Sequence, residues 1–206
     1  METAIDIRRT GAQSIPEVCR LRQLCYWEDF YFLPRNVMSQ SAEAQALAKW
    51  LEEDPGCNRL YGAFAGDRLI GYANAGWGQE PHEIAAGAVK AVELCNLFVA
   101  RQWRGQGTGL LLLQAAAQDF ARLGAEMLIL SNWRSAASNG FYRALGGRLV
   151  GQQRRTYANG EQVVDFFAWQ MDQLLHTLEQ RVAPYLCGSA ATDGLCKNGP
   201  TESGLR

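Results

Sequence analysis

A glycine-rich run between an apolar segment and a helical pattern is the feature of this chain that points most directly to chemistry. The run reads Gln102-Trp103-Arg104-Gly105-Gln106-Gly107-Thr108-Gly109, and it follows the apolar residues Leu97-Phe98-Val99. A helix N-terminus carries N–H groups without intrahelical partners and about half a positive charge, so it attracts anions. Glycines lack Cβ atoms, which lets an anion approach the backbone. Because Gln102 and Arg104 can add side-chain donors, the run predicts a phosphate-binding turn.

Other interpretations of this glycine-rich run follow from the residues alone. A P-loop requires Gly-Lys-Ser or Gly-Lys-Thr after the glycines, and neither follows here. A dinucleotide-binding fold fits poorly, because the run lies in the middle of the chain and the alternating βαβ units are missing. A tight turn whose glycines serve only helix packing stays open at this point.

The elements that must position this turn can be predicted from apolar periodicity and from turn residues. The predicted strands cover residues 5–8, 60–65, 68–73, 91–99, 126–130, 148–153 and 163–171, the last two joined through a turn at Asn159-Gly160. The predicted helices cover residues 14–24, 41–51, 107–123, 135–145 and 172–182. This order predicts an α/β fold in which helices cover a sheet with a parallel middle. We expect one domain over residues 1–182 and a poorly ordered tail over 183–206.

The turn and the strand before it resemble the acetyl-CoA signature of the GNAT family of N-acetyltransferases. In that family Gln or Arg is followed by x-x-Gly-x-Gly/Ala, and Gln102, Gly105 and Gly107 match this pattern. The resemblance covers residues 4 to 172 in element order and is most specific from 93 to 147. It implies a GNAT-like fold, with a mixed, mostly antiparallel sheet whose fourth and fifth strands are parallel.

The resemblance also implies acetyl-CoA as co-substrate. Backbone N–H groups of residues 106–109 would hold the diphosphate, and the strand end at residues 97–99 would pair with the pantetheine. The cofactor-binding residues expected on this basis are Leu97, Phe98, Val99, Gln102, Arg104, Gly105, Gln106, Gly107, Thr108, Gly109, Ser135 and Asn139.

A second segment, Asn139-Gly140-Phe141-Tyr142-Arg143-Ala144-Leu145-Gly146, resembles the helix-borne Phe/Leu-Tyr and Leu-Gly signature of the same family. The resemblance implies that the Tyr142 hydroxyl protonates the departing thiolate of coenzyme A. The family usually has Asn seven residues before this tyrosine, where this chain has Ser135, a suitable helix N-cap. Asn132 and Asn139 are the alternatives for the coenzyme contact. The alternative for Tyr142 is a structural role, as a tyrosine of the core whose hydroxyl has a hydrogen-bond partner.

Glu93 is the candidate general base, since it is a carboxylate in an otherwise apolar strand and family members carry a glutamate at this spacing. Burial in such a strand would raise its pKa toward the operating range. A solvent-facing glutamate at the strand end is the alternative, and a chain of water molecules can also serve as base. Asn96, in the same strand, is a candidate for orienting the acceptor.

The acceptor-binding residues are expected in an aromatic stretch over residues 25–34, between the first two predicted helices. Tyr26, Trp27 and Asp29 combine ring faces with a carboxylate, which suits a cationic amine. The same rings can instead pack the first helix on the sheet. The predicted function is transfer of an acetyl group to a primary amine of a small cationic molecule or a peptide, and the alternative is a non-catalytic acyl-CoA-binding sensor.

Charge and cysteine content narrow the remaining classes of partner. The formal net charge is -1, which does not favour nucleic acid or an anionic membrane as partner. A homodimer is a separate expectation, which does not rest on charge. No C-x-x-C pair occurs among the six cysteines and only two histidines exist, so no metal site is expected. Cys19 and Cys95 lie in apolar patterns, which predicts buried thiols. Free thiols and an N-terminus unlike a secretory signal favour the cytoplasm.

Overall fold

Seven strands form a single sheet in this protein, for which the computed structural model describes residues 4–30, 38–78, 90–158 and 160–186. The strands are β1 (Ile5–Thr10), β2 (Arg59–Ala65), β3 (Arg68–Trp77), β4 (Ala91–Val99), β5 (Met127–Trp133), β6 (Arg148–Tyr157) and β7 (Gly160–Gln170). The helices are α1 (Ile15–Phe30), α2 (Gln40–Glu53), α3 (Thr108–Arg122), α4 (Asn139–Ala144) and α5 (Met171–Leu186). The spatial order of the strands is β1-β2-β3-β4-β5-β7-β6.

Only the central pair of this sheet, β4 with β5, is parallel, and every other neighbouring pair is antiparallel. The mixed α/β architecture predicted from the sequence is therefore confirmed. The parallel ladder joins Ala91–Glu93 to Met127–Ile129 and goes no further. Beyond it the two strands diverge, and a gap opens in the middle of the sheet.

A bulge in β4 contributes to this divergence. Asn96 pairs with Asn74 of β3, but the next pair is Leu94 with Ala75, so Cys95 is an extra residue on β4. A bulge bends its strand and increases the local twist. The part of β4 after Cys95 therefore runs in a different direction from the part before it, which pairs with β5.

Helices cover both faces of the sheet and fix its position. On one face Leu112, Leu113 and Phe120 of α3 are fully buried with Leu174 and Leu178 of α5. Leu113 and Phe120 are seven residues apart and Leu174 and Leu178 are four apart, which is the spacing of a helix with one apolar stripe. On the other face Val18 and Leu21 of α1 pack with Leu60 and Tyr72 of the sheet.

Two helices extend beyond their predicted ends, and both extensions bring residues to the site. Helix α1 continues to Phe30, so Tyr26 and Trp27 lie in its last turns and not in a connecting loop. Packing of the Tyr26 ring on Phe98 accounts for the extension, since their centroids are 5.2 Å apart. Helix α5 likewise continues to Leu186, beyond the predicted end at 182.

Helix α4 begins at Asn139 and not at residue 135 as predicted. The Asn132 side chain donates to Ser138 Oγ at 2.9 Å and to Asn139 Oδ1 at 2.7 Å. These bonds hold the residues before Asn139 in turns, which competes with helix formation. Asn159 of the predicted hairpin turn, residues 31–34 of the predicted acceptor stretch, residues 79–89 and the residues from 187 onward lie outside the described residues.

Candidate active site

A cleft of about 1460 Å³ occupies the gap between β4 and β5. Its walls come from α1, the carboxyl half of β4, the glycine-rich turn, the end of β5, α4 and β6. The carboxyl ends of neighbouring parallel strands are where open α/β sheets bind ligands. The cleft therefore lies where the topology favours a site.

The glycine-rich turn at the start of α3 has the backbone conformation that the sequence pattern requires. Gly105 and Gly107 adopt φ values of 73° and 80°, in the left-handed region that favours glycine. Gly107 is the N-cap of α3 and has no side chain to cover the first N–H groups of the helix. The Thr108 hydroxyl donates to the Trp103 carbonyl at 3.1 Å, which braces the turn. The turn can therefore present α3 N–H groups to an anion.

The side chains of Gln102 and Gln106 take different places around this turn. Gln106 Nε2 donates to the Gln102 carbonyl at 2.8 Å, so this side chain braces the turn from outside. The Gln102 side chain is exposed. Neither residue is among those that line the cleft, whereas Gly105, Gly107, Thr108 and Gly109 are.

The free edge of β4 faces the gap with backbone groups. The Ala100 N–H donates to the Ile70 carbonyl of β3, and alternate residues of a strand use opposite edges. Leu97 and Val99 therefore direct their backbone groups toward β5, where that strand has diverged, and of these groups the Val99 carbonyl already accepts from Arg104. An extended ligand with amide groups can pair with this edge as an added strand would. The Phe98 side chain instead stacks on Tyr72, with centroids 5.7 Å apart.

Arg104 joins the glycine-rich turn to α1. Its guanidinium lies 2.8 Å from the Asp29 carboxylate and 3.8 Å from that of Glu28. Its Nε donates to the Val99 carbonyl at 2.9 Å. Burial lowers the pKa of Arg104, but the hydrogen bond and charge of Asp29 raise it, and the net shift is upward. Arg104 thus stays charged and neutralises Asp29.

Tyr142 of α4 lies in the wall of the cleft and is buried. Its ring contacts those of Phe141 and Trp169, with centroids 5.3 and 6.2 Å apart. Burial raises the pKa of Tyr142 well above its usual value, because the phenolate would lose its solvation. The hydroxyl is therefore protonated at neutral pH and has a proton to donate.

The β4 residues around the bulge take different places in the cleft. Cys95 and Asn96 line it, while Glu93 pairs with Ile129 in the parallel ladder and is not a lining residue. The prediction that Cys95 is buried is wrong: the residue is exposed, because the bulge and the divergence from β5 open this point to the cleft. Although the side chain is open to the cleft, the surrounding walls partly desolvate its thiol, and this desolvation and then the charge of Glu93 raise the pKa of Cys95 to about 12. The Glu93 carboxylate is thus close to Cys95. Cys19 is buried, as predicted.

Ser135 and Asn139, the two residues expected at the coenzyme on the α4 side, are placed differently. Ser135 is exposed and lines the cleft. Asn139 is buried, and its Nδ2 donates to the carbonyls of Trp133 and Arg134 at 2.9 and 3.0 Å. Because its Oδ1 accepts from Asn132, the Asn139 side chain is occupied in holding the connection between β5 and α4.

Aromatic side chains line the end of the cleft between α1 and β5. Trp27 is 70% exposed there, and the Tyr26 ring lies 6.1 Å from that of Trp133. Trp133 Nε1 donates to the Tyr157 hydroxyl of β6 at 2.9 Å, which ties the two walls together. Phe30 packs edge-on against Trp133 at 5.2 Å. This end is therefore a set of ring faces suited to a cation.

Comparison with known proteins decides the family. The model of the acetyltransferase (GNAT) family matches residues 21–146, more than half of the chain. The chain belongs to the GNAT family. No curated protein matches it in sequence. It is an acetyl-CoA-dependent N-acetyltransferase, since that is the activity of the family.

Solved structures with low sequence identity share the fold of this acetyltransferase. A GNAT-family protein from Desulfovibrio desulfuricans has a TM-score of 0.62 at 20% identity, covering 82% of this chain and 99% of its own. An acetyltransferase from Salmonella typhimurium, solved with its cofactor acetyl-CoA, has a TM-score of 0.60 at 16% identity, covering 82% and 95%. The ribosomal-protein-alanine N-acetyltransferase from Brucella melitensis has a TM-score of 0.62 at 18% identity, covering 80% and 99%.

Four residues that line the cleft of this acetyltransferase were not predicted from the sequence, namely Arg22, Trp133, Tyr157 and Tyr185. Trp133 was missed because the predicted strand stopped at residue 130, whereas β5 continues to Trp133 at the carboxyl end of the parallel pair. Within the described ranges no group of three or more His, Cys, Asp or Glu side chains is placed to hold a metal ion. No helix in the described part of the chain is long and apolar enough to cross a membrane.

Proposed function

We propose that this protein acetylates a primary amine of a small cationic molecule by direct attack on acetyl-CoA, with Tyr142 as general acid. The observation that carries the proposal is the position of the buried Tyr142 in the wall of the cleft, where burial raises the pKa of its hydroxyl. The glycine-rich turn and the free edge of β4 lie in the same cleft. A ligand held by its diphosphate at the turn and by its amides at β4 brings its thioester toward Tyr142.

Groups of this chain can then stabilise the charge that develops in the transfer and can donate or accept the protons. The amine attacks the acetyl carbon, and the carbon–sulfur bond breaks as the new carbon–nitrogen bond forms. N–H groups at the β4 edge stabilise the oxyanion, as preorganised donors do in acyl transfer. Tyr142 gives its proton to the departing thiolate. Glu93 takes the proton of the amine through water, since its charge acts on Cys95 but it is not a lining residue of the cleft.

Ring faces, more than carboxylates, support a cationic acceptor. The Asp29 carboxylate forms an ion pair with Arg104 at 2.8 Å. Its negative charge is therefore largely neutralised, and it attracts a cationic substrate less than the sequence suggested. Tyr26, Trp27 and Trp133 line the same end of the cleft. An ammonium over such faces gains about 0.5–2 kcal/mol. Four free thiols among the described residues, Cys19, Cys25, Cys57 and Cys95, fit a reducing compartment such as the cytoplasm.

The test is thiol release from acetyl-CoA across a panel of polyamines, aminoglycosides, amino acids and peptide α-amines. We expect turnover with a small polycationic amine, and a kcat lower by about 10²–10⁴ in Tyr142→Phe. Acetyl-CoA affinity should not change in this variant, because the ring remains. Tyr61→Phe is the matched control, since Tyr61 is also buried but bonds Asp119 outside the cleft.

Two results would overturn the proposal. A Tyr142→Phe variant with unchanged kcat would remove the tyrosine from the chemistry. A wild-type protein that binds acetyl-CoA but releases no thiol with any amine would favour an acyl-CoA sensor. Turnover only with peptide α-amines would place the acceptor in a different class.

A further inference from the structure

The last turn of α5 lies directly on the glycine-rich turn. Three ring carbons of Tyr185 are 2.5–2.7 Å from the point that a Cβ on residue 107 would occupy. The ring therefore packs on the bare backbone of Gly107, and Gly107 is buried. Tyr185 itself is 42% exposed and lines the same cleft as Tyr142.

The two faces of the glycine-rich turn meet different parts of the fold. At Gly109 a Cβ would meet Val99 of β4 and Phe141 of α4, both from 3.8 Å. At Gly107 the three nearest atoms that it would meet all belong to the ring of Tyr185 of α5. The turn is thus bracketed by the strand and α4 on one side and by Tyr185 on the other.

Packing of α5 holds the Tyr185 ring in place. Leu178 and Val182, seven and three residues before it, are buried. Arg181 donates to the Ala144 carbonyl at 3.4 Å, which ties α5 to α4. The ring is therefore carried by a packed helix, and ordering it on a ligand costs little conformational entropy.

We propose that Tyr185 binds the adenosine end of coenzyme A and is a specificity residue for the full coenzyme. The inference rests on the proposed function, in which the thioester lies at Tyr142 and the pantetheine along β4. With the diphosphate on the N-terminus of α3, the part of the coenzyme that remains is the adenosine. It leaves the turn beside Gly107, where one face of the Tyr185 ring is packed and the rest is exposed. A nucleobase of any type can stack on an aromatic ring, because every base has a π-face.

The test compares coenzyme A with 4′-phosphopantetheine, which lacks the adenosine, its 3′-phosphate and one phosphate of the diphosphate, by isothermal titration calorimetry. Tyr185→Ala should weaken coenzyme A binding about tenfold, the lower part of the range for one stacked base. Its affinity for 4′-phosphopantetheine should equal that of the wild type. Tyr185→Phe should keep most of the affinity, because the ring stacks without its hydroxyl. Leu186→Ala, in the exposed neighbour, is the matched control.

Three outcomes would overturn the inference. Equal losses for both ligands would make Tyr185 a support for the turn only. Unchanged affinity for coenzyme A would remove it from the site, and tighter binding would show that the ring blocks the coenzyme. A wild-type protein that binds neither ligand would instead count against the proposed function, so the two failures are distinguishable.

Discussion

At the scale of single residues, burial decides what the ionisable groups of the cleft can do. Tyr142 needs a proton to give, and loss of solvation raises its pKa, which keeps that proton in place. Because the folded pKa is raised above the unfolded value, the group's contribution to stability is present below about pH 10 and is lost as pH rises beyond it. Burial of Tyr142 thus keeps its proton available for catalysis and favours the folded state over the neutral pH range.

This upward shift predicts the alkaline side of the pH profile. With a saturating acceptor, kcat should rise as the bound amine loses its proton and should not fall again below about pH 10, the pKa of an ordinary tyrosine. The measurement is kcat against pH from 6 to 10.5, with folding checked by circular dichroism at each pH. A decline with an apparent pKa of about 8–9 would show that the acid is a different group.

Cys95 provides a second prediction at this scale. A pKa of about 12 leaves far less thiolate at pH 8 than in a free cysteine. The higher basicity makes that thiolate more nucleophilic, so the net rate with a disulfide reagent should be about fiftyfold slower. Peptide-resolved labelling should show the rate rising about tenfold per pH unit from 7 to 11, and acetyl-CoA should protect the thiol. Labelling as fast as that of free cysteine would contradict this.

At the scale of elements, the glycine-rich turn and α5 form one unit. Gly105→Ala places a Cβ in open space and costs only the left-handed backbone, about 1–2 kcal/mol. Gly107→Ala carries the same backbone cost and must also displace the Tyr185 ring. It should therefore destabilise the protein more than Gly105→Ala does.

A double-mutant cycle separates these two costs. In a Tyr185→Ala background the excess cost of Gly107→Ala should disappear, while the cost of Gly105→Ala should remain. Urea unfolding of the variants at one pH measures the differences. Additive effects of Gly107→Ala and Tyr185→Ala would mean that the ring does not pack on the turn in solution.

The elements that sequence predicted well are those whose signals are local. Strand β4 has its predicted bounds, and α3 starts one residue after its predicted start, since apolar runs and glycines mark both. The end of α1 and the start of α4 were missed because tertiary contacts set them. Tyr26 extends α1 by packing on Phe98, and the Asn132 side chain delays α4.

At the scale of the whole molecule, the coenzyme side of the cleft is more predictable than the acceptor side. The coenzyme side rests on two short segments, the glycine-rich turn and the helix of Tyr142, each readable from its own residues. The acceptor side combines Tyr26, Trp133 and Tyr157, which come from different elements and meet only in the folded chain. The bulge at Cys95 likewise depends on how β3 and β4 pair, and no pattern in the sequence predicts it.

The end of the domain is the last point at which the whole fold affects the site. The sequence placed the boundary at residue 182, but α5 continues to Leu186 and carries Tyr185 to the glycine-rich turn. A chain that ends at 186 should bind coenzyme A like the full chain. A chain that ends at 182 should bind about tenfold more weakly, because it lacks the ring.

Thermal unfolding with and without coenzyme A measures this difference. A ligand at about 100 times its Kd stabilises by about 2.7 kcal/mol, and a tenfold loss of affinity removes about 1.4 kcal/mol of this. For a chain of this size, that loss lowers the coenzyme-induced rise in Tm by about 3–6 °C. The Tm without ligand separates weaker binding from a weaker fold, because Val182 is buried and stays in both chains. An equal rise in Tm for the two truncated chains would place the functional end of the domain at residue 182, so that the last turn of α5 would have no part in binding the coenzyme.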